Sequence, residues 1–377
     1  MHHPSTMRIE RADVHRLEIP LERPYRLAFG PVTHYDTVVV TLAGGDGEIG
    51  YGEATLLTGY TGETIDAGYA LASDIARQLP GVDSAAACAR FTSIGEEAPF
   101  IATAFRTALD MALGHPLLSP AAGTRVPILG LLQGGDRAEL RDNFARLLAD
   151  GYRTVKVKVG FDVATDIAAL ATIQSIIGGR VPIRVDANQG YSGAEAIAFI
   201  AAVDPAGIEL FEQPCAAGDW DAHRSAVNAA AKTGLPLMLD ESIYGLVDIE
   251  RAAREEACRF IKVKLMKFVG IDALVAAIER IRVLGMTPVL GNGVACDLSC
   301  WMEACVAARQ IDNAGEMNGF LKARRMLFTS PLVFDDGAIV LDAAPRALDA
   351  QALARYARAT GTFHIERIGC HAPSSPA

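Results

Sequence analysis

Three features that mark common protein classes are missing from this sequence. No run of about 18 apolar residues occurs, and the N-terminal stretch MHHPSTMRIERADVHRLEI has no apolar segment of the secretory kind, so we expect neither a membrane span nor a signal peptide. The formal net charge of -10 argues against nucleic acid and anionic membrane surfaces as partners. The seven cysteines include no CxxC pair, which agrees with a reducing, cytoplasmic location.

The sequence also gives little support for metal binding by a cluster of cysteines. Cys296, Cys300 and Cys305 fall in one predicted helix, but no nearby histidine completes a set of metal ligands. We interpret these three side chains as small residues of the core.

The predicted order of strands and helices changes near residue 125. Before it, strand-like runs are followed by helical runs, which predicts an α+β domain over residues 1–124. After it, short apolar strands alternate seven times with helices, and we expect a weak eighth strand at residues 313–317. The seven strands are RVPILGLL, TVKVKVG, PIRVDANQG, GIELFEQP, PLMLDES, CRFIKVKLMK and TPVLGNG.

This alternation predicts an α/β fold in which residues 125–330 form a modified TIM barrel, (β/α)7β. A doubly wound open sheet is the competing arrangement. The later segment PLVFDDGAIVLDA predicts a hairpin that turns at Asp336 and Gly337. We expect residues 331–377 to return to the N-terminal domain and complete it.

One glycine pattern imitates a nucleotide-binding motif. Gly45, Gly47 and Gly50 satisfy GxGxxG, but YGEA and a loop follow where a dinucleotide fingerprint needs the N-terminus of a helix. We interpret the stretch as the turn of a hairpin.

Carboxylates end three successive strands of the predicted barrel. Strand 3 ends in Asp186, strand 4 in Glu212, and strand 5 in Asp240, which Glu241 follows. Such side chains face one another across the barrel mouth, where barrel active sites lie. Three anions there repel one another unless a cation joins them, and all-oxygen ligands favour a hard divalent ion, Mg²⁺ before others. A single acid would be read as a helix cap or a surface charge, but three at equivalent strand ends predict a metal site.

Two pairs of lysines lie inside apolar strands, where charge is unexpected. Lys156 and Lys158 share one side of strand 2, Lys262 and Lys264 share one side of strand 6, and the valines between them would face the outer helices. Strands 2 and 6 lie opposite each other in a ring of eight, so Lys158 and Lys264, nearer the mouth, would flank a bound substrate. Mg²⁺ and the second ammonium of each pair should lower the lysine pKa and make a neutral base accessible. Lysines that snorkel from edge strands are the alternative, and it fails where both faces of a sheet are covered.

This constellation resembles the enolase superfamily, specifically its muconate lactonizing enzyme subgroup within the mandelate racemase/muconate lactonizing enzyme family. The resemblance covers nearly the whole chain, and the order and spacing of the motifs match the family. Sites of this superfamily use a Lys or His base with Mg²⁺ stabilising an ene-diolate. The matching pieces are KVK at 156–158, DAN at 186–188, EQP at 212–214, DES at 240–242 and KVKLMK at 262–267.

The resemblance implies roles for individual residues. Asp186, Glu212 and Asp240 would bind Mg²⁺, and Lys158 and Lys264 would be the acid–base pair. Residues that would orient or tune these groups are Asn188, Glu241, Lys156 and Lys262.

The N-terminal half resembles the capping domain of the family. Its loops LERPYRLAFGPVTHYD and ATLLTGYTGET would close over the substrate and set specificity. Candidate substrate contacts in these loops are Tyr25, Arg26, His34 and Tyr60.

The sequence departs from the family pattern in its second half. Val269 stands where many relatives have a glycine, and Ala295 stands where many have a glutamate at strand 7, with Asp297 two residues later. Dipeptide epimerases tend to carry Asp-x-Asp near strand 8 to hold the α-ammonium of the substrate, whereas IDNAGEMNG offers Asp312 and Glu316. These departures argue against muconate cycloisomerisation and ordinary dipeptide epimerisation. Asp297 and Glu316 are further candidates for contact with substrate.

The predicted function is a Mg²⁺-dependent racemase or epimerase that removes the α-proton of a small carboxylate substrate, an amino-acid derivative or dipeptide-like molecule. The alternative within the family is a lyase, either a cycloisomerase or a dehydratase. A non-catalytic family member is disfavoured by the complete set of ligands and lysines. A glycosidase with paired carboxylates is disfavoured because it gives the lysines no role. The resemblance also implies a homo-oligomer, a dimer or an octamer.

Overall fold

The computed structural model describes residues 6–27, 30–57, 62–344 and 346–365. In chain order the strands are β1 Ile9–Leu27, β2 Gly30–Gly44, β3 Ile49–Leu56, β4 Thr124–Pro127, β5 Gly130–Leu131, β6 Val155–Lys158, β7 Ile183–Asp186, β8 Ile208–Glu212, β9 Leu237–Leu239, β10 Phe260–Val263, β11 Thr287–Leu290, β12 Val333–Asp335, β13 Ala338–Leu341 and β14 Ala357–His364. The helices are α1 Ile65–Arg77, α2 Ser84–Ile94, α3 Pro99–Ala112, α4 Arg137–Ala149, α5 Val163–Ile177, α6 Gly193–Ala202, α7 Trp220–Thr233, α8 Leu246–Arg254, α9 Ile271–Val283, α10 Asp297–Gln310 and α11 Ala350–Tyr356.

An antiparallel sheet in the order β14-β1-β2-β3 begins the fold. The hairpin between β2 and β3 turns through residues 45–48, where Gly47 has a φ of 90° that favours glycine. The GxGxxG stretch is therefore a hairpin turn, as the sequence predicts. Helices α1 to α3 cover one face of this sheet, and their shared core includes Phe91, Phe100 and Phe105.

The second sheet is parallel, in the order β11-β10-β9-β8-β7-β6-β5. No strand forms at residues 313–317. Gly315 instead forms a parallel bridge with Ile128, and the Glu316 amide donates to the Leu290 carbonyl at 3.0 Å, so single hydrogen bonds join β11 to the start of the ring. The sheet closes into a modified TIM barrel, which excludes the doubly wound open sheet.

Alternation along the barrel strands separates charge from apolar side chains. Val155 and Val157 of β6 pack in the layer shared with the surrounding helices, whereas Lys156 lies among carboxylates inside the ring. In β10, Ile261 and Val263 belong to the apolar layer in the same way, and Lys262 points inward. Side chains alternate between the two faces of a strand, and this alternation places the lysines inside the ring. An exposed sheet edge is not needed to explain them.

The end of the chain contributes to two sheets. Strands β12 and β13 form the predicted hairpin, with Asp336 and Gly337 at positive φ in its turn. This hairpin pairs with β4, at the start of the barrel, whereas residues 357–364 pair with β1. The division into domains at residues 124 and 331 stays a prediction.

Two other features considered in the sequence are the cysteines near residue 300 and membrane-spanning helices. Cys296, Cys300 and Cys305 are buried in or beside α10, as expected for core residues. Within the described ranges, no helix is both long and apolar enough to cross a bilayer.

Candidate active site

The strand ends β7, β8 and β9 bring three carboxylates to one side of the barrel. Asp186 is paired in register with Glu212 on the neighbouring strand, and Asp240 follows the end of β9. At the two ends of this row lie the predicted catalytic lysines. Lys158 Nζ is 2.7 Å from Asp186 Oδ2, and Lys264 Nζ is 2.8 Å from Asp240 Oδ2. The row of acids is thus flanked by one ammonium group on β6 and one immediately after β10.

A second pair of lysines lies deeper. Lys156 Nζ is 2.7 Å from Asp186 Oδ2 and 2.8 Å from Glu212 Oε2, while Lys262 Nζ is 3.1 Å from Glu212 Oε1. Glu316, in the segment after β11, belongs to the same layer. Its carboxylate accepts a hydrogen bond from Lys156 at 2.9 Å and another from Lys262. These deeper lysines are therefore counter-ions of the acids, a more specific role than the tuning that the sequence predicts.

A third lysine on the β10 side joins the site. Lys267 donates to Asp240 Oδ1 at 3.2 Å and to the carbonyls of Asp240 and Ile243 at 2.8 and 3.0 Å. On the other flank, Asn188 donates to Glu241 Oε1 at 3.0 Å and accepts from Lys158. Asn188 therefore connects Lys158 on β6 to Glu241, the carboxylate after Asp240.

Burial and neighbouring charge set the pKa values of the acids. Burial disfavours the charged form of Asp186, but the ammonium groups of Lys156 and Lys158 outweigh it and lower the pKa to about 2. Burial raises the pKa of Glu212 to about 7, with Asp186 adding to the effect. The pKa of Asp240 lies well below its usual range because Lys264 and other ammonium groups outweigh its burial.

The lysines near Asp240 differ from each other. Burial favours the neutral form of Lys264, but the carboxylates of Asp240 and Glu241 outweigh it and raise its pKa. Burial lowers the pKa of Lys267 to about 8 despite the contact with Asp240. The sequence predicts that Mg²⁺ and the second ammonium group of each pair lower the lysine pKa. At Lys264 the neighbouring carboxylates raise the pKa instead, and the effect of Mg²⁺ stays a prediction.

The donor set fits a hard divalent cation in its chemistry. Asp186, Glu212 and Asp240 offer buried carboxylate oxygens on three adjacent strand ends, and oxygen ligands suit Mg²⁺. Each acid, however, turns toward ammonium groups, and among the described residues no three His, Cys, Asp or Glu side chains converge as a metal-binding group. Lysines thus supply the positive charge that three neighbouring acids require.

The other predicted substrate contacts lie apart from this row of acids or have other partners. His34 contacts Asp36 at 3.4 Å and Thr33 at 3.2 Å on the N-terminal sheet. Asp297, at the start of α10, accepts from the amides of Leu327 and Phe328 at 2.7 and 2.9 Å, which gives both of its oxygens a backbone donor.

Glu316 is at the site, but as the partner of Lys156 and Lys262 rather than as a solvent-facing acid. Tyr60 lies outside the described residues, and so do the side chains of Tyr25 and Arg26, although the backbone of both belongs to β1.

Sequence reasoning missed three residues that shape the site. Lys267 was visible as the last letter of KVKLMK. Gln213 has a φ of 38° and accepts from the amides of Asp240 and Ser242 at 2.9 and 3.2 Å, so it fixes one strand end against the next. Glu303 of α10 accepts from the Leu265 amide at 2.9 Å, directly after Lys264. The EQP motif contains Gln213, whereas nothing in the local sequence marks Glu303.

Comparison with known proteins relates this geometry to a family. The family model described as enolase C-terminal domain-like matches residues 139–345. The L-Lys-D/L-Arg epimerase of Methylococcus capsulatus is 30% identical over 363 residues, which are 88% of this chain and 96% of that protein. The N-succinyl-L-Arg/Lys racemase of Bacillus cereus is 24% identical over 84% of this chain and 88% of its own length.

Solved structures share the fold over nearly the whole chain. The crystal structure of the same Bacillus cereus racemase has a TM-score of 0.82 and covers 95% of this chain and 100% of that one. The muconate lactonizing enzyme from Pseudomonas fluorescens, complexed with muconolactone, has a TM-score of 0.83 at 25% identity and covers 94% of this chain and 100% of that one. The family match, the relatives and the shared fold together show that this chain belongs to the enolase superfamily, in its mandelate racemase/muconate lactonizing enzyme group.

Proposed function

We propose that this protein is a Mg²⁺-dependent racemase or epimerase of amino-acid derivatives, which removes the α-proton of a carboxylate substrate to form an enediolate. The observation that carries the proposal is the placement of Lys158 and Lys264 at opposite ends of the carboxylate row. Their strands, β6 and β10, are four positions apart in the closed ring. A 1,1-proton transfer needs one acid–base group on each face of the α-carbon, and this arrangement supplies both.

The two lysines exchange roles between the two enantiomers. The neutral amine of one lysine takes the α-proton, and the electron pair of the broken C–H bond moves into the carboxylate to give the enediolate. The ammonium group of the opposite lysine then donates a proton to the other face of the same carbon. Asn188, which contacts both Lys158 and Glu241, holds the β6 base in place.

Asp186, Glu212 and Asp240 would hold the Mg²⁺ ion. Bound there, the metal would stabilise the negative charge that develops on the substrate carboxylate. We expect EDTA to abolish activity and Mg²⁺ to restore it, measured by polarimetry on the same sample. Activity that is indifferent to the chelator would exclude the metal role.

The relatives support an amino-acid derivative as substrate. The Methylococcus capsulatus relative is named as an epimerase of L-Lys-D/L-Arg, and the Bacillus cereus relative as a racemase of N-succinyl-L-Arg/Lys. A cycloisomerase or dehydratase is the second candidate, because the muconate lactonizing enzyme shares the fold at 25% identity. Such a lyase needs only one of the two lysines as a base, so the second lysine distinguishes the candidates.

The test is α-proton exchange in D₂O, followed by mass spectrometry over a panel of N-acyl amino acids, dipeptides and hydroxy acids. We expect a mass increase of one unit together with inversion at the α-carbon. Lys158→Ala and Lys264→Ala should each lower racemisation by at least about 10³-fold, and each should retain exchange from one enantiomer only. Lys232→Ala, at the exposed end of α7, is the matched control. If neither active-site variant changes turnover, the two-base proposal is wrong.

Three statements rest on family membership more than on geometry. We propose that residues 1–124 and 331–377 cap the barrel, that the protein is a homodimer or octamer, and that it acts in the cytoplasm. Light scattering coupled to size-exclusion chromatography gives the mass of the assembly, and a monomer at micromolar concentration would contradict the second statement.

A further inference from the structure

The two proposed catalytic lysines are anchored in the fold in different ways. Lys158 belongs to β6, which pairs with β7 up to the Lys158–Asp186 pair, and the Val159 amide continues the ladder to the Asp186 carbonyl at 2.9 Å. Lys264 comes after Val263, the last paired residue of β10. The backbone of Lys158 is therefore held by the barrel sheet itself, whereas the backbone of Lys264 lies beyond the regular ladder.

The chain after β10 is tied to the barrel at two points. Residues 264–271, which we call the Lys264 segment, contain a 3-10 turn directly after the lysine. Glu303 of α10 accepts from the Leu265 amide at 2.9 Å, and Lys267 donates to the Asp240 carbonyl at 2.8 Å. These contacts fix the turn from the barrel side.

The other side of the Lys264 segment packs against α3, one of the helices that cover the N-terminal sheet. Met266 and Val269 pack against the apolar core that α1 to α3 share with that sheet. The Thr103 hydroxyl of α3 donates to the Met266 carbonyl at 3.3 Å. A Cβ on Gly95, just after α2, would lie 2.2 Å from Val269 Cγ2, so the two surfaces are in close contact.

Asp110 of α3 contacts the far end of the Lys264 segment. Helix α9 has Gly270 at its N-cap, which has no side chain to accept from the first amides of the helix. Asp110 Oδ2 accepts from the Ile271 amide at 3.0 Å instead, while Arg106 donates to the other oxygen of this carboxylate at 2.8 Å. Thus α3 contacts the Lys264 segment both at its turn and at its last residue.

We propose that α3 positions Lys264 for proton transfer, with Thr103 and Asp110 as the positioning residues, and that it has no comparable effect on Lys158. The inference rests on the proposed two-base racemase, and it adds that the two faces of the substrate depend on different parts of the fold. A displacement of about 1 Å in a reacting group can lower a rate by about 10²-fold. Loss of a contact on the α3 side should therefore impair the base at Lys264 while the β6 base keeps its place.

The test uses variants that retain one lysine. Racemisation itself cannot locate the effect, because two enantiomers have equal energies and kcat/KM must fall by the same factor in both directions. By contrast, α-deuterium exchange in Lys158→Ala depends on Lys264, and exchange in Lys264→Ala depends on Lys158. We expect Thr103→Val to lower the exchange rate about 10-fold in Lys158→Ala and by less than about twofold in Lys264→Ala.

Other variants of the same helix provide the controls and a second perturbation. Thr103→Ser keeps the hydroxyl group and should restore the rate toward that of Lys158→Ala. Thr107→Val removes a hydroxyl group that donates to the Thr103 and Ala104 carbonyls within α3, and it should change neither exchange rate. Asp110→Ala should act in the same direction as Thr103→Val, because it removes the acceptor from the first amide of α9.

Amide hydrogen exchange of the substrate-free protein gives a second readout that needs no activity. The Leu265 amide donates to Glu303 and the Phe268 amide to the Leu265 carbonyl, so both have acceptors outside α3. Their protection therefore reports the order of the Lys264 segment rather than the deleted contact. Thr103→Val and Asp110→Ala should reduce this protection and leave that of β6 unchanged.

The outcomes separate this inference from the function on which it rests. A loss of α-deuterium exchange by the same factor in both lysine backgrounds would show a merely structural role of α3 and overturn the proposal, and so would no loss in either. Racemisation that requires both lysines but is indifferent to Thr103 and Asp110 supports the racemase and rejects the role of α3. Absence of exchange by the wild type from every compound of the panel contradicts the racemase function, and the positioning role is rejected with it.

Discussion

Glu303 illustrates how burial can outweigh hydrogen bonding and a neighbouring positive charge at a titrating side chain. It accepts from the Leu265 amide at 2.9 Å, and burial raises its pKa to about 7 from an ordinary value of 4.5. Because the folded protein binds this proton more tightly than the unfolded chain, Glu303 contributes stability below pH 4.5 that is lost as the pH rises to about 7. The residue thus opposes folding at neutral pH while it fixes the backbone next to Lys264.

Glu303→Gln removes the charge and keeps an acceptor for Leu265. We expect the free energy of unfolding of the variant, relative to wild type, to rise by about 2 to 3 kcal/mol between pH 5 and pH 8. Urea unfolding at the two pH values, in EDTA, measures this difference. Glu96→Gln changes an exposed carboxylate and should show no such rise. A difference that is independent of pH would show that Glu303 is already ionised at pH 5.

How far the sequence predicts the site depends on where each residue lies. Lys158, Lys264 and the three acids were predictable because strand alternation and strand ends obey simple geometric rules. Lys267 and Glu303 escaped because a 3-10 turn and a helix bring them to the site only through packing between elements. Glu316 was noticed, but its two lysine partners are more than 50 residues away, and only the closed ring brings them together.

At the scale of elements, close contact between a strand and a helix explains two glycines. A Cβ on Gly52 of β3 would lie 1.8 Å from the Ala104 carbonyl oxygen, and one on Gly50 would lie 2.0 Å from that of Ala108. The last glycine of the apparent GxGxxG motif is therefore required by the approach of α3 to the sheet.

Gly52→Ala should lower the free energy of unfolding by about 2 to 3 kcal/mol, because backbone of β3 or α3 must move to admit the methyl group. Gly62→Ala, which places its methyl group in open space, should change it by less than about 0.5 kcal/mol. Chemical denaturation of both variants provides the comparison. Equal stability of the two variants would mean that β3 and α3 separate at little cost.

Element boundaries were less predictable than element order. The first predicted barrel strand is divided into β4 and β5, because β4 pairs with β13 and only β5 joins the ring. The eighth strand is reduced to hydrogen bonds at Gly315 and Glu316, too few to form regular structure. Both differences arise where the ring closes, and pairing there depends on distant parts of the chain rather than on local pattern.

For the whole molecule, we expect the balance of charge inside the barrel to determine how Mg²⁺ binds. The cluster contains five carboxylates and five lysines, which are Asp186, Glu212, Asp240, Glu241, Glu316, Lys156, Lys158, Lys262, Lys264 and Lys267. Its formal charge is zero when every group is ionised. A divalent cation in this buried cluster would leave two uncompensated positive charges, unless protons leave or an anionic substrate enters.

Two members of the cluster titrate near neutral pH and are the expected sources of those protons. Burial raises the pKa of Glu212 to about 7 and lowers that of Lys267 to about 8. A nearby cation favours the deprotonated form of both groups. Binding of Mg²⁺ should therefore release protons, and the affinity should increase about tenfold per pH unit for each proton released.

Calorimetric titration of the substrate-free protein with Mg²⁺, in two buffers of different ionisation enthalpy, measures the number of protons released. We expect about one proton at pH 7.5, and a smaller number in Lys267→Met, which cannot contribute its own. Asp240→Asn should weaken Mg²⁺ binding by at least about 10²-fold, because it removes the charge of one of the three carboxylates that we propose hold the ion. Heats that are the same in both buffers would show that the metal binds without displacing protons. The charge balance of the cluster would then have to be restored in another way, by an anion that enters with the metal.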